Sequence, residues 1–557
     1  MARGAIAGAF ASFPLAATNA APHASLFIGI LVGASIAGGL GRIRRSRAEL
    51  ALAACALGIP LWALVTCIAV PHMTGQRAVL SGELMRAQFP SLMGWMLYGC
   101  IFGVLEPLLN RIVVRLRGAE SEPPTDSPTP QRRIVILGGG FAGTTTALCL
   151  EKELWSDPST HITLVSDQNS LLFTPMLAEV AGGSLEPSHI STPLRPLLHR
   201  TEIVRGSALS ADLGRRTITV APAGDTLGSE REIPYDHLVL ALGSVSNYFG
   251  AANIEKHAFD FKTLLDAIRI RNRIIEMFEH ADREPDPDVR RALVTFVIAG
   301  GGFAGVELAG AINDFTHGIL ADYPTVAAGE LRTILVHSRD RILPELSESL
   351  ARYAQKRMAE RGVEFRLGTR VLDMRVGSVT LSSGDLASQT LVWTAGTAPS
   401  PFSKAIGLET DKRGAVVVDS TMGVAGHPGL WALGDCAALK DGRSGQACPP
   451  TAQFALREGR TLARNIRLAL QGQPPDAFHF ESLGALCVVG YQTACAELTI
   501  PFARRKSLRF SGLLAWMMWR GIYVSKLPGL ERKARVLLDW TFELFFPRDI
   551  VQTIDLK

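Results

Sequence analysis

The sequence predicts an α/β chain of two doubly wound units, with an apolar helical region in front and a basic-edged apolar region behind. Three observations predict it. A buried-type strand, a Gly-x-Gly-x-x-Gly turn and a helix follow one another at residues 134–151 and again from residue 294 onward. Both turns have the same fill, Gly-Gly-Gly-Phe-Ala-Gly. The chain is 47% hydrophobic and 20% charged, with a mean hydropathy of +0.19, too apolar for a purely soluble protein of 557 residues.

The glycine turns give the units their chemistry. Ile134 to Leu137 reads as a parallel strand, and Gly138, Gly140 and Gly143 precede a helix over Thr144–Glu151. Such glycines make a tight turn, let backbone approach a pyrophosphate and let helix pack on strand. The helix start then offers free N–H groups to the phosphates. Val294–Ala299, Gly300, Gly302, Gly305 and a helix from Val306 repeat the pattern. Two Rossmann-like units imply two dinucleotides, and together these suggest a flavin taking hydride from a nicotinamide.

Composition excludes other classes. Net charge is +5, and no dense basic run with interleaved aromatics suggests nucleic acid. The eight cysteines form no Cys-x-x-Cys pair, which fits a reducing compartment. Cys55, Cys67 and Cys100 sit in apolar stretches as small hydrophobes. No metal site is expected.

Residues 1–117 read as a transmembrane helical region. Residues 4–41 are uncharged and split at 18–23; Leu50–Val70 and Phe89–Leu109 are clearer spans, with Glu106 near one end. Three helices are expected, with residues 1–21 either a fourth helix or a signal peptide. Arg42, Arg44, Arg45 and Arg47, then Arg111, Arg115 and Arg117, place both flanking loops inside. Everything after Leu109 then lies on the cytoplasmic side of a multi-pass inner-membrane protein. The helices lack an ion-pathway pattern, so anchoring or homodimer formation is their expected role. Residues 118–131, rich in proline, serine and acid, read as a linker.

The flavin unit opens at residue 132. Its second strand, His161–Val165, ends at Ser166 with Asp167 next, where flavin-binding folds place a ribose-binding acid. Asp167 serves that purpose or is a solvated loop residue. Further on, Phe173-Thr174-Pro175-Met176-Leu177-Ala178-Glu179-Val180-Ala181 and Leu238-Val239-Leu240-Ala241-Leu242-Gly243-Ser244 resemble the type II NADH dehydrogenase family over residues 132–552. These are FAD-containing NADH:quinone oxidoreductases of disulfide-reductase-like fold.

The resemblance implies roles. Gly138, Gly140, Phe141, Ala142 and Gly143 hold FAD; Thr174 and Pro175 lie along the flavin; Ala241 and Gly243 close the first half of its domain. Gly434 and Asp435 meet the ribityl chain, and Thr451, Ala452 and Gln453 begin a helix beneath the ring, where N–H groups and dipole favour negative charge. Gln453 would also meet quinone, although Arg457 stands where relatives carry a second glutamine. On the nicotinamide side, Gly300, Gly302, Gly305, Ala395 and Gly396 hold the nucleotide, and Glu307 faces both rings. His337 replaces a glutamate that binds the ribose, so with Arg339 nearby NADPH is tolerated besides NADH. The implied boundaries are 132–289 and 397–475 for the FAD domain, 290–396 for the NAD(P)H domain, and 476–557 for membrane association. Ser511–Ile522 behind Arg504, Arg505, Lys506 and Arg509 has the pattern of an interfacial helix, a core helix being the alternative. The expected activity passes two electrons from NADH to a membrane quinone without proton pumping. The rivals are a sulfide:quinone oxidoreductase, for which Cys436 and Cys448 are the candidate cysteines, and a non-catalytic membrane redox sensor or assembly factor.

Overall fold

The structure is a computed structural model that describes residues 89–116, 132–223, 229–499 and 507–552, with single positions at 62, 65 and 66. It divides into two compact units, residues 1–123 with 529–531, and residues 124–528 with 532–557. In the first unit, helix α1 (Phe89–Leu116) carries Tyr98 stacked on Phe102, with Trp95 edge-on at 5.8 Å. The predicted span Phe89–Leu109 falls in this helix. Among the described residues no helix is long and apolar enough to cross a membrane. Apart from the single positions, the earlier apolar segments lie outside the described residues, as do the linker and Arg504–Lys506.

The second unit begins with β1 (Arg132–Leu137), α2 (Phe141–Glu153), β2 (Thr160–Ser166), β3 (Thr201–Asp212), β4 (Thr217–Pro222), β5 (Arg231–Pro234) and β6 (His237–Leu240). Then come β7 (Phe259–Asp260), α3 (Leu264–Ala281), β8 (Thr295–Ala299), α4 (Phe303–Ile319), β9 (Arg332–Val336), β10 (Val363–Arg366) and β11 (Thr390–Trp393). Last are β12 (Leu430–Ala432), α5 (Ala452–Leu470), β13 (Gly484–Gly490), β14 (Thr493–Thr499), β15 (Ser507–Gly512), α6 (Leu513–Lys526) and α7 (Leu530–Phe542).

The first sheet has the order β12-β6-β1-β2-β3-β4-β5, parallel as far as β3 and antiparallel beyond it. The second, β7-β11-β8-β9-β10, is parallel throughout. Residues Ile134–Leu137 and the whole of β8 are buried on both faces, which suits their unbroken apolar, β-branched sequence. In each sheet the winding reverses beside the first strand, between β1 and β6 and between β8 and β11. A crevice opens at that reversal, past the carboxyl ends of the strands.

Both glycine-turn helices start one turn earlier than their side chains alone predict, at Phe141 and Phe303 rather than Thr144 and Val306. Gly140 and Gly302 cap them in extended conformation, so the first-turn N–H groups face the crevice. Strand β8 starts at Thr295, because the N–H of Val294 still bonds Arg290 of the preceding helix. Strands β13–β15 form an antiparallel meander, followed by α6. That helix has two characters: Ala515, Trp516 and Trp519 are buried, while Leu513, Leu514 and Met517 are more than half exposed.

Candidate functional site

Each crevice is shaped by what its glycines leave out. A Cβ on Gly138, whose φ is +111°, would lie 2.2 Å from the Ala241 carbonyl oxygen, and one on Gly143 would lie 2.0 Å from that of Gly138. Strand, turn and helix are therefore in backbone contact, and Ala241 is locked to β1 through its N–H on Leu137. At Gly140 a Cβ would meet nothing within 4 Å. The space beside it is open, and free N–H groups of α2 border it, as a pyrophosphate requires. Buried Ala142 begins the helix with partly buried Phe141. The second nest repeats this: Gly305 would reach Gly300 at 1.9 Å, Gly300 sits against Thr394, and Gly302 meets only Glu345 at 3.8 Å. Ala395 and Gly396 follow Thr394, and a Cβ on Gly396 would strike the Phe249 ring.

The predicted ribose positions differ from one another. Ser166 is buried, its hydroxyl filling the space above Gly139, while Asp167 is exposed and accepts a hydrogen bond from the N–H of Gln168. His337 follows β9 directly, and its Nδ1 accepts from Gly301 N–H at 3.1 Å. That acceptor role makes the ring neutral with its proton on Nε2, which is buried without a partner. Burial, with Arg339 beside it, holds the imidazole below its usual pKa.

The flavin half is completed by a hydrogen-bonded chain that runs from Lys262 through Ser244 to the expected Asp435. Lys262 donates to the Ser244 hydroxyl at 2.7 Å, and that hydroxyl donates to Asp435 at 2.8 Å. Gly434, at φ +72°, gives its N–H to buried Glu458 at 2.6 Å. Burial pushes the Glu458 carboxyl up to about 7. Helix α5 starts at Ala452 behind Thr451, with its first N–H groups free of intrahelical partners. A Cβ on Gly459 would crowd the Ala142 carbonyl, so this glycine lets α5 cross α2 closely. Gln453 is tied down: its carbonyl accepts from Leu483 N–H and its amide donates to Gly484. The residues present suit FAD, a cradle free of side chains for phosphate and a fixed carboxylate for hydroxyls. Cys436 and Cys448 do not suit sulfur chemistry, since burial pushes their thiols up to about 11 and about 12.

A cavity is bordered by Pro175, Glu179, Glu307, Val488, Trp519 and Arg520. Thr174 and Pro175 form a short 3-10 turn leading into it. Glu307, on the first turns of α4, accepts the N–H of Val488 at 3.2 Å. Its remaining exposed surface faces this internal space, while protein packed around it pushes its pKa up to about 8. Trp519 also lowers that carboxyl, although its Nε1 lacks a partner at bonding distance.

Fold and site together define a two-nucleotide flavoprotein of the pyridine-nucleotide oxidoreductase class. Residues 132–459 match the family described as pyridine nucleotide-disulphide oxidoreductase, and residues 483–549 match the NDH2 C-terminal domain. Two type II NADH:quinone oxidoreductases of Mycobacterium tuberculosis are 29% and 30% identical, over 75% and 74% of this chain and 89% and 86% of theirs. NDH2 from Plasmodium falciparum in complex with NADH has the same fold, with a TM-score of 0.68 at 17% identity, over 76% of this chain and all of that one. The sulfide:quinone oxidoreductase of Aquifex aeolicus shares it at a TM-score of 0.57 and 18% identity, over 74% of this chain and 95% of its own. The chain belongs to the type II NADH:quinone oxidoreductase family.

Proposed function

We propose that the protein oxidises NADH and reduces a membrane quinone, using FAD held in the first nest. The observation that carries this is the shared cavity, where the flavin-side Pro175, the nicotinamide-side Glu307 and the carboxy-terminal Trp519 border one space. Bound FAD supplies the two-electron chemistry. The chain supplies position: phosphates on the two helix starts, Asp435 on the ribityl hydroxyls, and the start of α5 against the pyrimidine edge of the ring. Glu307 orients the nicotinamide, and the loop pinned by Gln453 closes the acceptor side. NADH-dependent reduction of a soluble quinone analogue by the purified protein tests the reading; bound flavin without that activity supports the sensor instead.

With His337 in place of a ribose-binding acid, a 2′-phosphate meets exposed Arg339, whose pairing offsets the neighbouring Asp340. NADPH is therefore expected to be oxidised within about tenfold of the kcat/KM for NADH, and His337→Glu to widen the gap by about tenfold or more. Parallel steady-state kinetics with both nucleotides decide; strict NADH use by the unaltered protein sinks the idea.

The carboxy-terminal helices are read as the membrane dock. Leu513, Leu514 and Met517 on α6, and Leu537, Leu538 and Phe542 on α7, are each about half exposed. Phe545 and Phe546 beyond them are more exposed still, at 75% and 63%. Such a surface fits lipid better than water. Replacing Leu514 and Met517 together with glutamate is expected to lower liposome binding by about 10- to 100-fold. Vesicle co-sedimentation reads it, and unchanged binding would remove α6 from the dock. Residues 1–117 would add transmembrane anchoring to this dock, placing the nucleotide domains on the cytoplasmic face.

A further inference from the structure

The cavity beneath Glu307 holds more ionisable groups than cofactor binding requires. Glu179, about one helix turn beyond the Thr174-Pro175 segment, accepts the Trp540 indole N–H at 3.1 Å. The Arg520 guanidinium lies 3.9 Å from Glu179 and 2.8 Å from Glu543. It is clamped between the rings of Trp516 and Trp540, at 3.7 and 4.5 Å, so it cannot swing away. Arg548 holds the other oxygen of Glu543 at 3.1 Å. Glu543 and Arg548 also border a second, outer cavity with Asn313, Asp314, His317 and Arg361. Asp314 and Tyr491 belong to both cavities, and His317 at the outer one is exposed. Acids and bases lining the two adjoining cavities thus lead from exposed His317 towards Glu307.

The charges in this series do not cancel. Glu179 and Glu543 face two fixed cations, Arg520 and Arg548; Glu307 adds a third carboxyl within electrostatic reach of Glu179, while Asp314 is spent on its own partner, Arg361. Tyr523 and Cys487, which also face Glu307, are held neutral by burial. Three carboxylates against two guanidiniums leave a buried negative charge, and one bound proton removes it.

The reaction proposed above needs one proton from solvent. In NADH + H⁺ + quinone → NAD⁺ + quinol, both electrons and one hydrogen arrive from the nicotinamide, and the second hydrogen of the quinol is a proton. We propose that Glu543 and Glu179, bridged by Arg520, and then Glu307 relay that proton from the outer cavity at His317 to the cavity that Pro175, Glu307 and Trp519 share, where the reacting rings meet; the inference rests on the quinone-reductase reading. Each acid takes a proton from its outer neighbour and gives it to the inner one, with no net change in the chain. Burial pushes Glu179 up to about 7 and Glu307 up to about 8, so both exist in either state near neutral pH.

Rapid mixing separates the relay from the earlier step. In Glu543→Gln, loss of flavin absorbance on adding NADH should stay within about twofold of the unaltered protein. Its return on adding soluble quinone should slow by about tenfold or more at pH 8, with an enlarged solvent deuterium effect. Formate should restore the rate in Glu543→Ala and leave the unaltered protein unchanged. A merely structural acid would not give that rescue. Independently of turnover, infrared titration of the unaltered protein should show a protonated-carboxyl C=O band at pH 6 that disappears through about pH 7 to 8, and Glu179→Gln should lose part of it. Quinone-driven recovery at the normal rate in Glu543→Gln, or no carboxyl titrating above pH 6, overturns the relay. If the unaltered protein fails to pass electrons to quinone at all, the functional reading falls instead.

Discussion

Gly140→Val is expected to give a folded and colourless protein. The backbone at Gly140 has φ −75° and ψ −168°, ordinary extended values that valine adopts readily. Its added Cβ would touch no protein atom within 4 Å. The substitution therefore leaves the fold alone and acts on whatever occupies the space. A branched side chain there denies the close approach on which two or three charge-assisted phosphate bonds depend, each worth about 1.5–3 kcal/mol. Flavin retention should fall by at least about a hundredfold. Gly143 would be a poor choice for the same test, because a Cβ 2.0 Å from the Gly138 carbonyl forces strand and helix apart. Absorbance at the flavin band, beside a circular-dichroism melt, gives the answer. A yellow, stoichiometric Gly140→Val protein would mean that the first nest does not hold the cofactor.

What the sequence made legible was whatever is written in consecutive residues. A backbone carbonyl about 2 Å from a missing Cβ tolerates only glycine, so Gly138, Gly143, Gly300 and Gly305 mark their turns by themselves. The doubly wound order follows from strands buried on both faces. Contacts between distant residues left no such mark. Glu179 and Trp540 are 361 positions apart, and Ser244 and Asp435 are 191 apart; neither pair has a local pattern. Glu458, next to the departure at Arg457, carried no expected role, yet its carboxylate fixes the Gly434 N–H. Gln453 pointed to the acceptor side, but its amide is bound to a loop 30 residues on, whose position no local signal fixes. Helix α6 could be read as interfacial or as core because it is both, on opposite faces.

Gly302→Val is expected to separate the two nests from each other. Its backbone, at φ −79° and ψ −174°, also accepts valine, and the nearest atom to a new Cβ is Glu345 Oε1 at 3.8 Å. The protein should fold, stay yellow and remain reducible by dithionite. It should lose NADH, because the side chain fills the space beside the free N–H groups of α4 where the second pyrophosphate would lie. The kcat/KM for NADH should drop by at least about a hundredfold, mostly through KM, since binding is removed while the reacting rings are untouched. NADPH should suffer equally, as both nucleotides share the pyrophosphate; a loss confined to one of them would place the fault at His337 instead. The pair of variants then separates the two nests, flavin without nicotinamide in Gly302→Val and no flavin in Gly140→Val. If Gly302→Val still bleaches with NADH at the normal rate, the nicotinamide enters by another route and Glu307 cannot be the group that meets it.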